Sequence, residues 1–183
     1  MSPDSTRRER FEAVSAEVFD PLQRYLRRRA SPDDAGDLLS EVLLTIWRRL
    51  DDVPPQAPLP WCYGVARRTL SNHRRSTRRR LRLVERIESE PISPLFLDPA
   101  ESLQDPDLAT ALAGLPFADQ EILRLWAWEQ LEPREIAAAL GSTSNAVSLR
   151  LSRAKKKLAQ AMSRQDPPDA GHKEDRHPEE QRR

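Results

Sequence analysis

Basic side chains are concentrated in two short stretches of this 183-residue chain. Eight arginines and no acid lie between Arg67 and Arg82, and six basic residues and no acid lie between Val147 and Arg164. The formal net charge of the chain is only +1, so what distinguishes these stretches is the distribution of charge. Two acid-free basic stretches on a nearly neutral chain are typical of two contact surfaces for a polyanion such as nucleic acid. The alternative for each stretch is a solvated helix face that binds nothing.

The second basic stretch lies in segment 131–157, whose pattern predicts a helix-turn-helix. Its inward apolar positions are Ile136, Ala137, Leu140, Val147 and Leu151. Gly141 allows a tight reversal between the two helices, and Thr143 can cap the second one. That second helix then protrudes far enough to enter the major groove of DNA. The alternative is an ordinary helical hairpin, which the basic and acid-free character of the second helix disfavours.

The outward face of this second helix combines short polar groups with basic ones. Its members are Ser144, Asn145, Ser148, Ser152, Arg153 and Lys156, with Arg150 at the edge. Short polar groups near the start of such a helix suit base edges, while arginine and lysine further along suit bases and phosphates. We therefore expect this face to bind duplex DNA.

The composition predicts an all-α protein, so both basic stretches are expected to lie on helices. The chain has only five glycines and no alternating run of β-branched residues, and helix-forming residues dominate. We expect two small helical domains joined by a proline-rich linker, the second of which contains the helix-turn-helix. The expected boundaries are a disordered N-terminus at 1–10, a first domain at 11–88, a linker at 89–106, a second domain at 107–164 and a disordered tail at 165–183.

The first domain contains a clear helix start and a stiff loop. Ser31-Pro32-Asp33 combines a capping serine, a proline and an acid, which is typical of a helix N-terminus. The apolar positions of the helix that follows are Leu38, Leu39, Val42, Leu43, Ile46, Trp47 and Leu50. Four prolines make 51–60 a stiff loop. The next helix is expected to begin near Leu59 and to carry the first basic stretch to about Glu88.

Three motifs follow one another along the chain. The first runs from Asp34 through Glu41 to Trp47, and the second runs from Trp61 to Arg75. The third consists of Leu115-Pro116, Glu135-Ile136-Ala137, Gly141, Ala146-Val147 and Arg153-Ala154-Lys155. Each motif alone is weak, but their order and distances are specific, and together they resemble the extracytoplasmic-function (ECF) sigma factors of the sigma-70 family. The resemblance covers residues 11–82 and 107–162.

This resemblance implies an alternative sigma factor, which binds core RNA polymerase, recognises promoter DNA at the −10 and −35 elements and directs DNA opening. It implies contacts with core polymerase by Asp37, Ser40, Glu41, Leu44 and Trp47. It implies −10 contacts by Trp61, Arg67, Arg68, Asn72, Arg74, Arg75 and Arg78, with loop 51–60 holding a flipped base. The outward face of the helix-turn-helix would bind the −35 element. An anti-sigma factor is a further expected partner.

Two other classes of function compete with this interpretation. A helix-turn-helix transcription regulator would share the second domain without binding core polymerase, but 11–88 has no pattern of a ligand-binding or phospho-acceptor domain. An enzyme is not expected, because no set of residues has the context of a catalytic or metal site, and we predict no metal and no cofactor. A single cysteine, Cys62, and the lack of a long apolar run predict a cytoplasmic protein without a membrane span.

Overall fold

The computed structural model describes residues 3–85 and 105–165, which are helical and contain no strand. The helices are α1 (Pro3–Arg27), α2 (Pro32–Arg48), α3 (Pro58–Glu85), α4 (Pro106–Ala113), α5 (Phe117–Ala127), α6 (Pro133–Leu140) and α7 (Ser144–Gln165), with a 3-10 turn at Leu50–Asp52. The predicted all-α class is therefore confirmed. Most of the expected linker, and the expected tail from residue 166 onward, lie outside the described residues. None of the helices described is long and apolar enough to cross a membrane.

Helix α1 begins earlier than the sequence suggests. Residues 1–10 were expected to be disordered, but α1 is already formed from Pro3. Arg7 donates to the backbone oxygen of Trp47 at 2.8 Å, and its guanidinium lies 5.2 Å from the centre of that indole ring. Arg10 donates to a backbone oxygen in the loop after α2 at 3.0 Å. These arginines hold the first turns of α1 in place. Their partners lie some 40 residues away in sequence, so the local pattern of apolar residues gives no sign of the contact.

Helix α2 begins where the sequence predicts. The side chain of Ser31 accepts a hydrogen bond from the backbone N–H of Asp34 at 3.1 Å, and a proline occupies the first turn. Its buried residues are Ala35, Leu38, Leu39, Val42 and Ile46. Leu43 and Trp47, which we expected in the core, are only partly buried. The Trp47 ring instead packs edge-on against Phe11 of α1, with 5.2 Å between ring centres.

Helices α1, α2 and α3 pack on one another to form the first domain, with Leu22, Val42 and Ala66 fully buried between them. Helix α3 begins at Pro58, next to the expected start at Leu59. The 3-10 turn joins it to α2, and the buried side chain of Val53 fixes the proline-rich loop to the core.

The second domain contains the predicted helix-turn-helix. Helix α6 ends at Gly141, whose φ of 64° is the left-handed conformation that glycine adopts without strain. Thr143 then caps α7 by accepting a hydrogen bond from the N–H of Ala146 at 3.3 Å. Val147, Leu151 and the helices α4 and α5 complete the core of this domain. The predictions for Gly141 and Thr143 are confirmed.

The two domains are in direct contact. Helix α3 of the first domain packs along α6 of the second, and buried residues from both domains form one continuous apolar cluster. The sequence pattern, which divides the chain at a proline-rich segment, gives no indication of this contact.

Candidate nucleic-acid interface

The outward face of α7 is open to solvent. Ser144, Asn145, Ser148, Ser152, Arg153 and Lys156 are all exposed, whereas Val147, Leu151 and Ala154 point into the domain and are buried. This separation follows from the helical period, which places residues three and four apart on the same face. The surface can therefore present hydroxyl, amide and cationic groups together, as a major-groove contact requires.

Two cations of the second basic stretch are bound to a buried acid on α5. Asp119 accepts hydrogen bonds from Arg150 Nε at 2.9 Å and from Lys157 Nζ at 2.7 Å, and its side chain is only 5% exposed. The hydrogen bond from Lys157, with that from Arg150, lowers the pKa of Asp119 below its ordinary value although burial opposes this. Arg150, expected at the DNA face, is thus tied to the domain while half of its side chain remains exposed. Asp119 could not be identified from the sequence, because nothing local distinguishes it from a surface acid.

The first basic stretch lies along α3, and its members differ in exposure. Arg68, Asn72, Arg75 and Arg78 are exposed, whereas Trp61, Arg67 and Arg74 are partly buried. Arg74 donates to the backbone oxygen of Arg29 at 3.0 Å, and burial lowers its pKa. His73 lies 3.5 Å from a carboxylate oxygen of Asp34, so this ring faces α2. The stretch therefore combines an exposed cationic face with residues that hold α3 to its neighbours.

The loop before α3 is held in place by charged contacts. Asp51 pairs with Arg7 at 3.2 Å, and Arg49 pairs with Asp52 at 2.8 Å. The guanidinium of Arg49 also lies 5.3 Å from the centre of the Trp61 ring. Cys62, which follows Trp61, is fully buried, and burial raises the pKa of its thiol to about 12, so it is an inert packing group.

The exposed face of α2 carries acids beside an apolar side chain. Asp37, Ser40 and Glu41 are exposed, and the side chain of Leu44 is 47% exposed although leucine is usually buried. Trp47 closes the far end of this face and is partly buried. One helix therefore serves both the domain core and an outward surface of mixed acidic and apolar chemistry.

The two basic helices face one cleft between the domains. Arg67 of α3 and Arg150 of α7 both line a cavity of about 240 Å³, together with Phe117, Glu121 and Leu140. Deeper in the same contact, Glu129 pairs with Arg28 and Arg29. None of these three residues could be identified from the sequence, since partners about 100 positions apart leave no spacing signal.

Comparisons with known proteins agree with this geometry. A family model for sigma-70 region 2 matches residues 16–80, and one for sigma-70 region 4 matches residues 107–158. The RNA polymerase sigma factor SigV of Bacillus subtilis is 28% identical over 135 residues, which cover 73% of this chain and 79% of SigV. The ECF RNA polymerase sigma factor SigF of Caulobacter vibrioides is 32% identical over 154 residues, which cover 79% of this chain and 81% of SigF.

Solved structures share the fold. The sigma factor RpoE, in its complex with the anti-sigma factor NepR from Bartonella quintana, matches with a TM-score of 0.58 and 23% identity over 84% of this chain and 96% of RpoE. CnrH in complex with the cytosolic domain of CnrY matches with a TM-score of 0.57 and 23% identity over 85% of this chain and 89% of CnrH. The two family models and the match to SigF show that the chain belongs to the ECF sigma factors of the sigma-70 family, alternative initiation subunits that direct RNA polymerase to promoters.

Proposed function

We propose that the two domains divide promoter recognition between them. The basic stretch of α3 and the loop before it bind the −10 element and hold a separated strand, through Trp61, Arg67, Arg68, Asn72, Arg74, Arg75 and Arg78. The exposed members of this set are Arg68, Asn72, Arg75 and Arg78. The outward face of α7 binds the −35 element as duplex, through Ser144, Asn145, Ser148, Arg150, Ser152, Arg153 and Lys156. The observation that carries this proposal is the helix-turn-helix, whose protruding helix is exposed, basic and free of acid.

Core polymerase is proposed to bind the exposed face of α2. An acidic face with one exposed leucine offers charge complementarity around an apolar anchor, which is the usual anatomy of a protein interface. Asp37, Ser40, Glu41, Leu44 and Trp47 are the proposed contacts. In this proposal the protein is a cytoplasmic, non-catalytic subunit, and the energy for strand opening comes from its assembly with polymerase.

An anti-sigma factor is the further partner that we propose. Two solved relatives, RpoE and CnrH, are described in complexes with the anti-sigma factor NepR and with the cytosolic domain of CnrY. The exposed Leu44 and its acidic neighbours on α2 would suit such a partner as well as polymerase. Co-purification from the native cell before and after envelope stress tests this proposal, and a protein that is free in unstressed cells contradicts it.

Transcription from fragmented genomic DNA tests whether the two domains recognise separate promoter elements. Core polymerase together with this protein should yield run-off transcripts whose upstream sequences share a −10 and a −35 element. Arg153→Ala should alter the −35 preference, and Arg75→Ala should weaken strand opening at −10. Core polymerase without this protein should yield no transcripts that share these elements. Transcripts without a common upstream element would contradict the proposal and favour a regulator that does not act as a sigma factor.

A further inference from the structure

The contact between the two domains contains a buried ion cluster. Glu129, which follows α5, accepts hydrogen bonds from Arg28 at 2.5 Å and from Arg29 at 2.9 Å. The side chains of Glu129 and Arg29 are each only 2% exposed. Both arginines belong to the first domain and the carboxylate belongs to the second, so each charge has its partner only while the domains touch.

Two tyrosines complete this cluster. The hydroxyl of Tyr25 donates to Glu121 at 3.3 Å, and the hydroxyl of Tyr63 donates to Glu129 at 3.5 Å. Burial raises the pKa of both tyrosines, which therefore remain neutral donors. The guanidinium of Arg29 lies 3.8 Å from the centre of the Tyr25 ring. Two acids of the second domain thus contact a polar surface of the first domain that consists of two tyrosines and two arginines.

The physical chemistry of buried ions makes such a contact specific and reversible. Burying charges costs hydration, and their attraction restores this only when the geometry is good and every partner is present. When the domains separate, each ion is hydrated again, so the open form carries no desolvation cost. Loss of one partner in the closed form leaves an uncompensated buried charge, which disfavours that form alone.

The closed arrangement cannot serve both promoter elements at once. Elements centred near −10 and −35 are about 25 base pairs apart, which corresponds to about 85 Å of duplex. Arg67 of α3 and Arg150 of α7 line the same small cavity, so the two proposed DNA surfaces adjoin. The chain between Glu85 and Asp105 can extend to about 65 Å, which is long enough to let the domains move far apart.

We propose that Glu129, Arg28 and Arg29 form a latch that holds the two promoter-binding domains together in the free protein without any other molecule. The latch opens when the domains take their separate places on polymerase and DNA. The biological meaning of opening rests on the proposed function, whereas the closed state and its dependence on Glu129 do not. The occupant of the arginine surface is the second domain of the same chain.

An interdomain distance measured on the isolated full-length protein tests the latch. Dyes for energy transfer can be attached through Ala16→Cys on α1 and Gln160→Cys on α7, since both positions are exposed. The native Cys62 does not compete for the dyes, because it is fully buried with a pKa raised to about 12. The wild-type pair should show one short-distance population.

Glu129→Lys is the decisive variant. It places a third cation between Arg28 and Arg29, and we expect the ratio of open to closed molecules to rise at least tenfold. Glu129→Gln keeps the shape and removes only the charge, so it should shift the ratio in the same direction by less. Asp107→Asn removes one negative charge from an exposed position of the same domain and should leave the distance unchanged.

The outcomes separate the latch from the proposed function. A wild-type distance in Glu129→Lys with an unchanged circular dichroism spectrum overturns the latch, and a wild-type distance in Glu129→Gln does so if the lysine variant fails to fold. Adding core polymerase to the labelled wild type should produce the long distance. If Glu129→Lys opens but the wild type never binds core polymerase, the latch stands and the proposed function fails.

Discussion

A β-carbon at Gly64 would lie 3.0 Å from the carbonyl oxygen of Ala139, so α3 and α6 approach each other backbone to backbone at this point. Nine in ten real β-carbon contacts are longer than this, and the obstructing atom is backbone that cannot rotate away. The glycine is therefore what permits the two domains to pack this closely.

Gly64→Ala should weaken the domain contact although alanine is the better helix former. The overpacking cost at such a site is typically ~1–3 kcal/mol, against a gain in helix propensity of about 1 kcal/mol inside α3. We expect a longer mean interdomain distance in the energy-transfer assay. Gly114→Ala is the matched control, since its β-carbon would make only ordinary contacts at 3.6 Å. Equal distances in the two variants would show that the close approach does not limit domain packing.

Arg153 and Lys156, both exposed on α7, should behave differently on DNA. If Arg153 contacts a base edge, Arg153→Ala should weaken binding to the −35 duplex by ~1–3 kcal/mol and change the preferred sequence. If Lys156 contacts a phosphate, Lys156→Ala should weaken binding to all sequences evenly. It should also lower the salt slope, which is the steepness of log affinity against log salt concentration, by about one. Titrations of matched and random duplexes at several salt concentrations measure both effects. An equal loss on both duplexes for Arg153→Ala would exclude a base contact.

Asp119→Asn should release two cations towards DNA. Without the carboxylate, Arg150 and Lys157 are no longer held against α5, so random duplexes should bind with a salt slope steeper by about one to two. Discrimination of the −35 sequence should fall at the same time, because α7 loses a contact that sets its position. Asp119→Glu retains the charge and should restore most of the discrimination. An unchanged salt slope would indicate that the two cations already contact phosphate in the wild type.

The Asp119 carboxylate should make the free energy of unfolding depend on pH. Its pKa is lowered in the folded protein, so its contribution is fully present above the unfolded value of about 3.9 and is lost as pH falls through the lowered folded value. Urea unfolding of the wild type and of Asp119→Asn should therefore differ by a constant free energy above about pH 5, and the difference should shrink below about pH 4. A difference that does not change with pH would mean that the variant acts through packing alone.

Local signals in the sequence predicted the start of α2 and the turn of the helix-turn-helix. The serine and proline at positions 31 and 32 gave the start of α2, and Gly141 and Thr143 gave the turn and cap of the helix-turn-helix, because these residues act on their immediate neighbours. The exposed face of α7 followed from the helical period alone. Such features depend on a few adjacent residues, which a single sequence displays.

Long-range polar contacts could not be predicted in this way. The pairs of Arg7 with the backbone of Trp47, of Arg150 with Asp119 and of Arg29 with Glu129 join residues 31 to 100 positions apart. An arginine that ends up buried in such a pair has the same sequence context as one that faces DNA. This is why Arg74 and Arg150 could be assigned to basic stretches but not to their contacts within the protein.

Binding of core polymerase to the exposed face of α2 is the central requirement for a sigma factor of this kind. Asp37 and Glu41 are four residues apart and share that face, so Asp37→Lys with Glu41→Lys reverses its charge without touching the core. Glu9→Lys with Glu12→Lys makes the same charge change at exposed positions of α1 and serves as the control.

Pull-down with core polymerase and a gel shift on −35 duplex, performed on the same preparations, give the most direct test. We expect the α2 variant to lose core binding and promoter-directed transcription while it retains the duplex binding of the wild type, and we expect the α1 variant to retain all three activities. An α2 variant that still binds core and still initiates transcription would contradict the account.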